Sequence, residues 1–253
     1  MASKHKSKPS LENLVESVDL GIEILHPGGL EITGELAELC HIGKDTTVLD
    51  VASGTGESDY YIAEKFGSRV TGVDASESMI ERARKKAVGR KSRVEFIKGD
   101  AHNLPFDDGV FDMVISECTL CLLDKERAIR EMVRVAKTGG CVGFHDIAWK
   151  ERTPKHLKER LAKLEGERPE TLAGWKSLFE KAGLVDVRVI DKSYLIPGWM
   201  KGTRKELGLS GLLRVALRAI KNWGLGGLVR ILGTERIFQS RYMGYAIVVG
   251  RKA

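Results

Sequence analysis

The stretch Val48-Leu49-Asp50-Val51-Ala52-Ser53-Gly54-Thr55-Gly56 joins a short apolar run to a turn of small residues. A buried strand running into such a turn and then a helix lets the backbone approach a ligand closely, because Gly54 and Gly56 carry no Cβ and accept positive φ. A tight turn without a ligand fits the same spacing. Asp74 ends a second apolar run, Val70-Thr71-Gly72-Val73, 24 residues after Asp50. A carboxylate at the tip of a second parallel strand can accept both hydroxyls of a ribose. The alternative is an N-cap for the helix that follows. Gly99-Asp100-Ala101 comes after a third run, where a carboxylate can accept from an adenine amino group. Three ligand-facing loops after three successive strands are far more specific than any one of them.

A second group of residues could move protons. His145 and Asp146 close the expected fifth strand, and a histidine there can take a proton from a substrate near neutral pH. A histidine bonded within the sheet edge is the alternative. His26, beside Pro27, Gly28 and Gly29, is placed to lie over the same opening, whereas His102 reads as a loop residue. Cys118-Thr119-Leu120-Cys121 supplies two metal ligands where a closed zinc site needs four. Nothing in the spacing of Cys40, His41, Cys141 or His145 completes the set, so no metal site is expected. Buried structural thiols are the favoured reading of the cysteines.

The elements that must position these residues alternate in type. Helices are expected over 11–25 and 30–40, interrupted at His26-Pro27-Gly28-Gly29. Strands over 47–51, 69–73, 94–97, 110–116 and 141–147 alternate with helices over 59–66, 76–87 and 124–136. A helix over 171–182 and strands over 185–194 and 242–251 follow. Short apolar strands alternating with amphipathic helices mean βαβ units and a parallel sheet with right-handed crossovers. Residues 196–240 break the rhythm. Leu209, Leu212, Leu213, Ala216, Leu217, Ile220 and Trp223 recur there at helical spacing, with Arg214, Arg218 and Lys221 as a separate stripe.

The chain has 253 residues, 42% of them hydrophobic, enough for one sizeable core. Its net charge is +6. From residue 200 onward, eleven basic residues face only Glu206 and Glu235, so the remainder of the chain is acidic. No motif or interleaved aromatics accompany this basic region, so no nucleic-acid partner is expected. Residues 1–10 read as a disordered basic arm, with 11–253 as a single domain. No apolar run reaches the ~18 residues of a membrane span. Four cysteines in a chain of this length form no disulfide framework, which makes a cytoplasmic setting the expectation.

Taken together, these motifs resemble the class I S-adenosylmethionine-dependent methyltransferases, over roughly residues 30–190 and the last strand. Val48 to Gly56 is similar to that family's first motif, with Ala52 standing where the family usually has a glycine. Asp74 matches its ribose-binding acid. Gly99-Asp100-Ala101 with Leu104-Pro105-Phe106 resembles its adenine loop, and Phe111 to Ile115 its fourth strand. Arg134 to Gly140 is similar to the turn before its fifth strand. The Ala-x-Gly-x-Gly spacing departs from the Gly-x-Gly-x-x-Gly of dehydrogenases.

The resemblance implies a doubly wound, Rossmann-like, seven-stranded mixed sheet with its last strand antiparallel. Helical lid segments are expected at the N-terminus and between strands 6 and 7. It implies S-adenosylmethionine as cofactor, faced by Asp50, Ala52, Gly54, Gly56, Asp74, Ala75, Asp100, Ala101 and Ser116. The expected reaction is methyl transfer by SN2 displacement to a small molecule, an apolar one being the expected kind, with His145, Asp146 and His26 as candidate catalytic groups. Such a reaction depends mainly on alignment in a water-poor pocket, and a protein base is optional. Two other classes stay open: a non-catalytic cofactor-binding module, and a thiophilic metalloid handler using Cys118 and Cys121. Ser116-Glu117-Cys118 resembles a segment of arsenite methyltransferases, but the further cysteines of those enzymes are missing. The insert over 196–240 reads as a substrate lid, a peripheral membrane contact or a dimer interface.

Overall fold

The computed structural model describes residues 26–87, 90 and 93–253. The arm over 1–10 and the helix expected over 11–25 lie outside the described residues. Seven strands form one sheet: β1 (Thr47–Val51), β2 (Arg69–Asp74), β3 (Val94–Lys98), β4 (Phe111–Glu117), β5 (Ala136–Trp149), β6 (Leu184–Asp191) and β7 (Met243–Lys252). Their order is β3-β2-β1-β4-β5-β7-β6. β1 to β5 pair in parallel, and β7 runs antiparallel to both β5 and β6. This is the mixed, doubly wound sheet that the resemblance implies, and its parallel part is what the alternation of elements predicts. The strand order reverses between β1 and β4, and the carboxyl ends on either side of that reversal open the crevice where such sheets bind ligands.

Eight helices cover the sheet among the described residues: α1 (Gly29–Leu39), α2 (Glu57–Phe66), α3 (Glu77–Ala87), α4 (Lys125–Val135), α5 (Lys155–Leu164), α6 (Leu172–Lys181), α7 (Leu195–Trp223) and α8 (Leu225–Phe238). Asp124 caps α4 by accepting from the Arg127 amide, and Thr171 caps α6 by accepting from Gly174. Side chains alternate across a strand, and β5 makes the consequence visible. A Cβ on Gly143 would press on Leu36 of α1 and on Cys40 at its end. Phe144 instead packs on Trp175 and Phe179 of α6, ring centroids 4.9 and 5.2 Å away. His145 therefore shares the α1 face, and Asp146 the α6 face.

The insert differs in detail from its expected form. The helix expected from Leu209 starts at Leu195 and bends at Gly208, whose φ of 57° and ψ of −176° only glycine adopts without strain. α5 has no counterpart in the sequence reading. Its Leu157, Leu161 and Leu164 have helical spacing, but only Leu161 is fully buried, so the apolar stripe is thin. α5 carries α8: Arg230 donates to the Lys163 and Leu164 carbonyls at 2.7 and 3.2 Å, and Thr234 donates to Glu165 at 2.5 Å. No helix among the described residues is long and apolar enough to cross a membrane.

Candidate active site

The glycine turn after β1 takes the expected form. Gly54 and Gly56 have φ of 54° and 79°, and a Cβ on Gly56 would collide with the Phe96 ring. Ala52 also sits at positive φ, 66°, because its amide and that of Ser53 both bond the Val73 carbonyl, at 2.7 and 3.0 Å. An L-residue in this region is strained by about 1–2 kcal/mol. Ala52→Gly is therefore expected to raise unfolding free energy by about 0.5–1 kcal/mol after the chain-entropy cost of glycine. A denaturant midpoint equal to or below that of the wild type would contradict the strain.

Asp74 ends β2 with both carboxylate oxygens engaged: Oδ2 accepts from the Gly54 amide at 2.9 Å and Oδ1 from the Ser76 amide at 2.8 Å. It thus fastens the tip of β2 to the glycine turn. Ala75, beside it, is exposed. Asp100 accepts from the His102 amide and from its ring Nδ1, at 2.9 and 2.8 Å, and His102 Nε2 accepts from the Asp124 amide at 3.1 Å. His102 is the loop residue it was expected to be. Ala101 is buried, and Ser116 bonds the Val51 carbonyl across β1 and β4 at 2.8 Å.

Behind the turn lie two buried carboxyl groups, Asp50 on β1 and Asp59 on α2. Asp50 Oδ1 and both Asp59 oxygens are buried with no hydrogen-bond partner. Burial first, then the negative charge each feels from its acidic neighbours, pushes both pKa values well above the usual carboxylate range. Orphaned acceptors of this kind fit a cationic ligand, and S-adenosylmethionine brings a sulfonium and an ammonium. A cation favours the ionised carboxylates, so binding should release protons and affinity should rise with pH above the usual carboxylate range. Titration calorimetry in buffers of different ionisation enthalpy measures the release. Buffer-independent heats together with a pH-independent affinity would remove this role.

The second half of the site was not foreseen as a unit. The β4–β5 ladder sets Glu117 opposite His145. The Glu117 Oε1–His145 Nε2 distance is 3.0 Å, and Glu117 Oε2 lies 3.2 Å from His26 Nε2. Ser58 of α2 donates to Glu117 Oε2 in a short hydrogen bond. His145 Nδ1 meets the Tyr245 hydroxyl at 2.6 Å, and Cys118 Sγ lies 3.0 Å from that hydroxyl. His26 and His145 are themselves in contact, ring centroids 4.6 Å apart. Cys118 has φ of 49°, a left-handed kink that ends β4 next to Glu117. Burial holds the His145 imidazole below its ordinary pKa despite the neighbouring carboxylate. Burial raises the Glu117 pKa, but the protonated forms of His145 and His26 outweigh it and bring it well below the usual range.

Asp146 does not join this group. It faces the opposite side of β5, where Oδ2 accepts from the Cys121 amide at 2.9 Å and Oδ1 from its neighbour Ile147 at 2.7 Å. Burial pushes its pKa to about 6. Its position is that of a brace for the short turn Leu120–Leu122 after β4. Burial also raises the thiols of Cys118 and Cys121, which keeps them protonated.

The comparisons with known proteins agree with this geometry. A family model described as a methyltransferase domain matches residues 48–140. An uncharacterized protein of Haemophilus influenzae is 31% identical over 211 residues, covering 80% of this chain and 83% of its own. Phosphoethanolamine N-methyltransferase 1 of Arabidopsis thaliana is 32% identical over 167 residues, which is 66% of this chain but only 34% of that relative's length. In structure, phosphoethanolamine N-methyltransferase 2 of Haemonchus contortus with bound S-adenosylmethionine matches at a TM-score of 0.77 and 17% identity, over 95% of this chain and 57% of that one. Residues 48–140 thus carry a methyltransferase domain, and the chain shares the fold of a methyltransferase solved with S-adenosylmethionine.

Proposed function

We propose that the protein transfers the methyl group of S-adenosylmethionine to a small molecule whose polar group is held by Glu117, His26 and His145. The cofactor supplies an electrophilic methyl group on sulfonium. The observation that carries the reading is the Ser58–Glu117 hydrogen bond, which ties the helix leaving the glycine turn to the side-chain group at the ends of β4 and β5. The chain's own residues position: Asp74 and the glycine turn take the cofactor, while Glu117 and the two imidazoles orient a nitrogen or oxygen of the acceptor. Relatives named for N-methylation of a small amine support that acceptor class. The test is formation of S-adenosylhomocysteine from S-adenosylmethionine across a panel of small amines and hydroxylated compounds. Cofactor binding with no product from any of them would favour the non-catalytic module. The thiophilic reading is disfavoured by the raised pKa of both thiols, Cys121 buried and Cys118 half-buried. Arsenite binding abolished in the double serine variant would restore it.

The insert supplies a roof and an outer surface to this site. Leu195, at the start of α7, packs by Gly28, two residues from His26, and Lys192 just before it pairs with Glu35 of α1 at 2.7 Å. That contact supports the lid reading. Further along α7, Gly211 and Ala219 are buried, whereas Leu209, Leu213 and Leu217 are 89%, 60% and 57% exposed. Arg214, Arg218 and Lys221 run beside them, an apolar stripe with a basic flank that suits an anionic lipid surface. Vesicles containing phosphatidylserine are expected to float the protein, and Leu213→Ser with Leu217→Ser to reduce flotation several-fold. Equal flotation of the double variant, or none by the wild type, would remove the membrane reading. Self-association lost in the same variant would assign the stripe to a dimer.

A further inference from the structure

We propose that Glu117, His26 and His145 bind one divalent transition-metal cation, of the Zn²⁺ or Fe²⁺ kind. This rests on the acceptor site proposed above and states what holds the acceptor there: a cation with open positions for a nitrogen or oxygen lone pair. Among the described residues, one group of three metal-capable side chains converges, with donor atoms all within 4.8 Å of one another. The donors are His26 Nε2, His145 Nε2 and the Glu117 carboxylate, with nitrogen–oxygen distances of 3.2 and 3.0 Å. Two donors each about 2.1 Å from one ion and at right angles to each other lie about 3 Å apart. The same distances could serve hydrogen bonds, but the angles do not. His26 Nε2, His145 Nε2 and Glu117 Oε1 are all buried without an acceptable hydrogen bond. Buried polar atoms left so are rare and call for a partner.

The surroundings orient His145 and Glu117, whereas His26 Nδ1 is buried without a hydrogen-bond partner. A ligating histidine normally donates its other ring N–H to a fixed acceptor. His145 Nδ1 lies 2.6 Å from the Tyr245 hydroxyl, and in the tautomer that carries its proton on Nδ1 it donates there and leaves the Nε2 lone pair for the site. Ser58 donates to Glu117 Oε2 and fixes the carboxylate. Two imidazoles and one carboxylate form the ligand set of open, reactive transition-metal sites, whereas Mg²⁺ and Ca²⁺ take oxygen. The ligands come from the loop before α1, from the end of β4 and from the residue of β5 that pairs with it. No sequence spacing announces such a site, which is why none was expected.

Cobalt(II) is the probe for the full chain after chelator treatment. One equivalent is expected to bind with visible d–d absorption and no thiolate charge-transfer band. His26→Gln and Glu117→Gln should each weaken cobalt binding at least about 100-fold, and Ser58→Ala about 10-fold, in keeping with the 10- to 100-fold typical of outer-shell partners. His26 precedes α1, so His26→Gln keeps the test sound if Glu117→Gln folds poorly, and cofactor affinity confirms the fold of each variant. Chelator-treated wild type that binds S-adenosylmethionine but no cobalt overturns the metal site and leaves the methyltransferase reading intact. Unchanged cobalt affinity in both glutamine variants overturns it too, as does a charge-transfer band that disappears in Cys118→Ser. Stoichiometric cobalt binding lost in both variants, but with no product from any acceptor, upholds the metal site and removes the acceptor reading instead.

Discussion

Asp74→Ala is expected to weaken S-adenosylmethionine binding by about 1–3 kcal/mol, or about 5- to 150-fold in Kd. Two losses combine. The ribose hydroxyls lose a charged acceptor, and the Gly54 amide loses the Oδ2 bond that holds the glycine turn against the tip of β2. Asp74→Asn separates them, because the amide keeps one acceptor for the turn and presents a donor in place of the second oxygen. Calorimetry on the three proteins is the measurement. Equal affinity for wild type and Asp74→Ala would end the ribose assignment.

Glu117→Gln is expected to lower kcat by about 10²- to 10⁴-fold on an acceptor found by the product screen, with cofactor affinity within a few-fold of wild type. The carboxylate is the hub that both imidazoles and Ser58 share. Glutamine keeps its shape and removes its charge. Alanine would be less informative, because breaking a buried ionic group costs about 3–5 kcal/mol of stability and confounds the rate. A glutamine variant turning over at the wild-type rate would detach the trio from the reaction.

The glycine turn and the acids at the tip of β2 and after β3 were legible in the sequence because each is local. Val48 to Gly56, Asp74 and Asp100 each follow a strand, and parallel strands deliver their carboxyl ends to one edge whatever the fine register. The alternation of apolar strands and amphipathic helices likewise fixed the parallel part of the sheet. The side-chain group around Glu117 was not legible as a unit. In the sequence His145 and His26 stand out one at a time, and Glu117 only as part of the Ser116-Glu117-Cys118 segment. Pairing it with His145 needs the β4–β5 register, and Tyr245 enters through an antiparallel ladder in which it faces Ile147, two residues from His145. Asp146 shows the limit of position alone: adjacent residues on a strand point to opposite faces, so it lies near His145 in sequence and away from it in space.

The place of β7 between β5 and β6 governs the order in which the molecule can be finished. β6 pairs only with β7, and β5 meets β7 along the whole run from Cys141 to Trp149. A chain emerging from the ribosome can assemble β1 to β5 as soon as they appear. β6 must then wait through the 43 residues of α7 and α8 for the strand that joins it to the rest. Throughout that interval β5 presents an apolar edge of unpaired backbone, the kind of surface that recruits other chains. Tyr245 arrives on the same late strand, so the hydroxyl that orients His145 is among the last groups delivered. Closure of the sheet and completion of the group around Glu117 are thus a single late event, and a nascent chain halted before it would hold the glycine turn without Tyr245 beside His145.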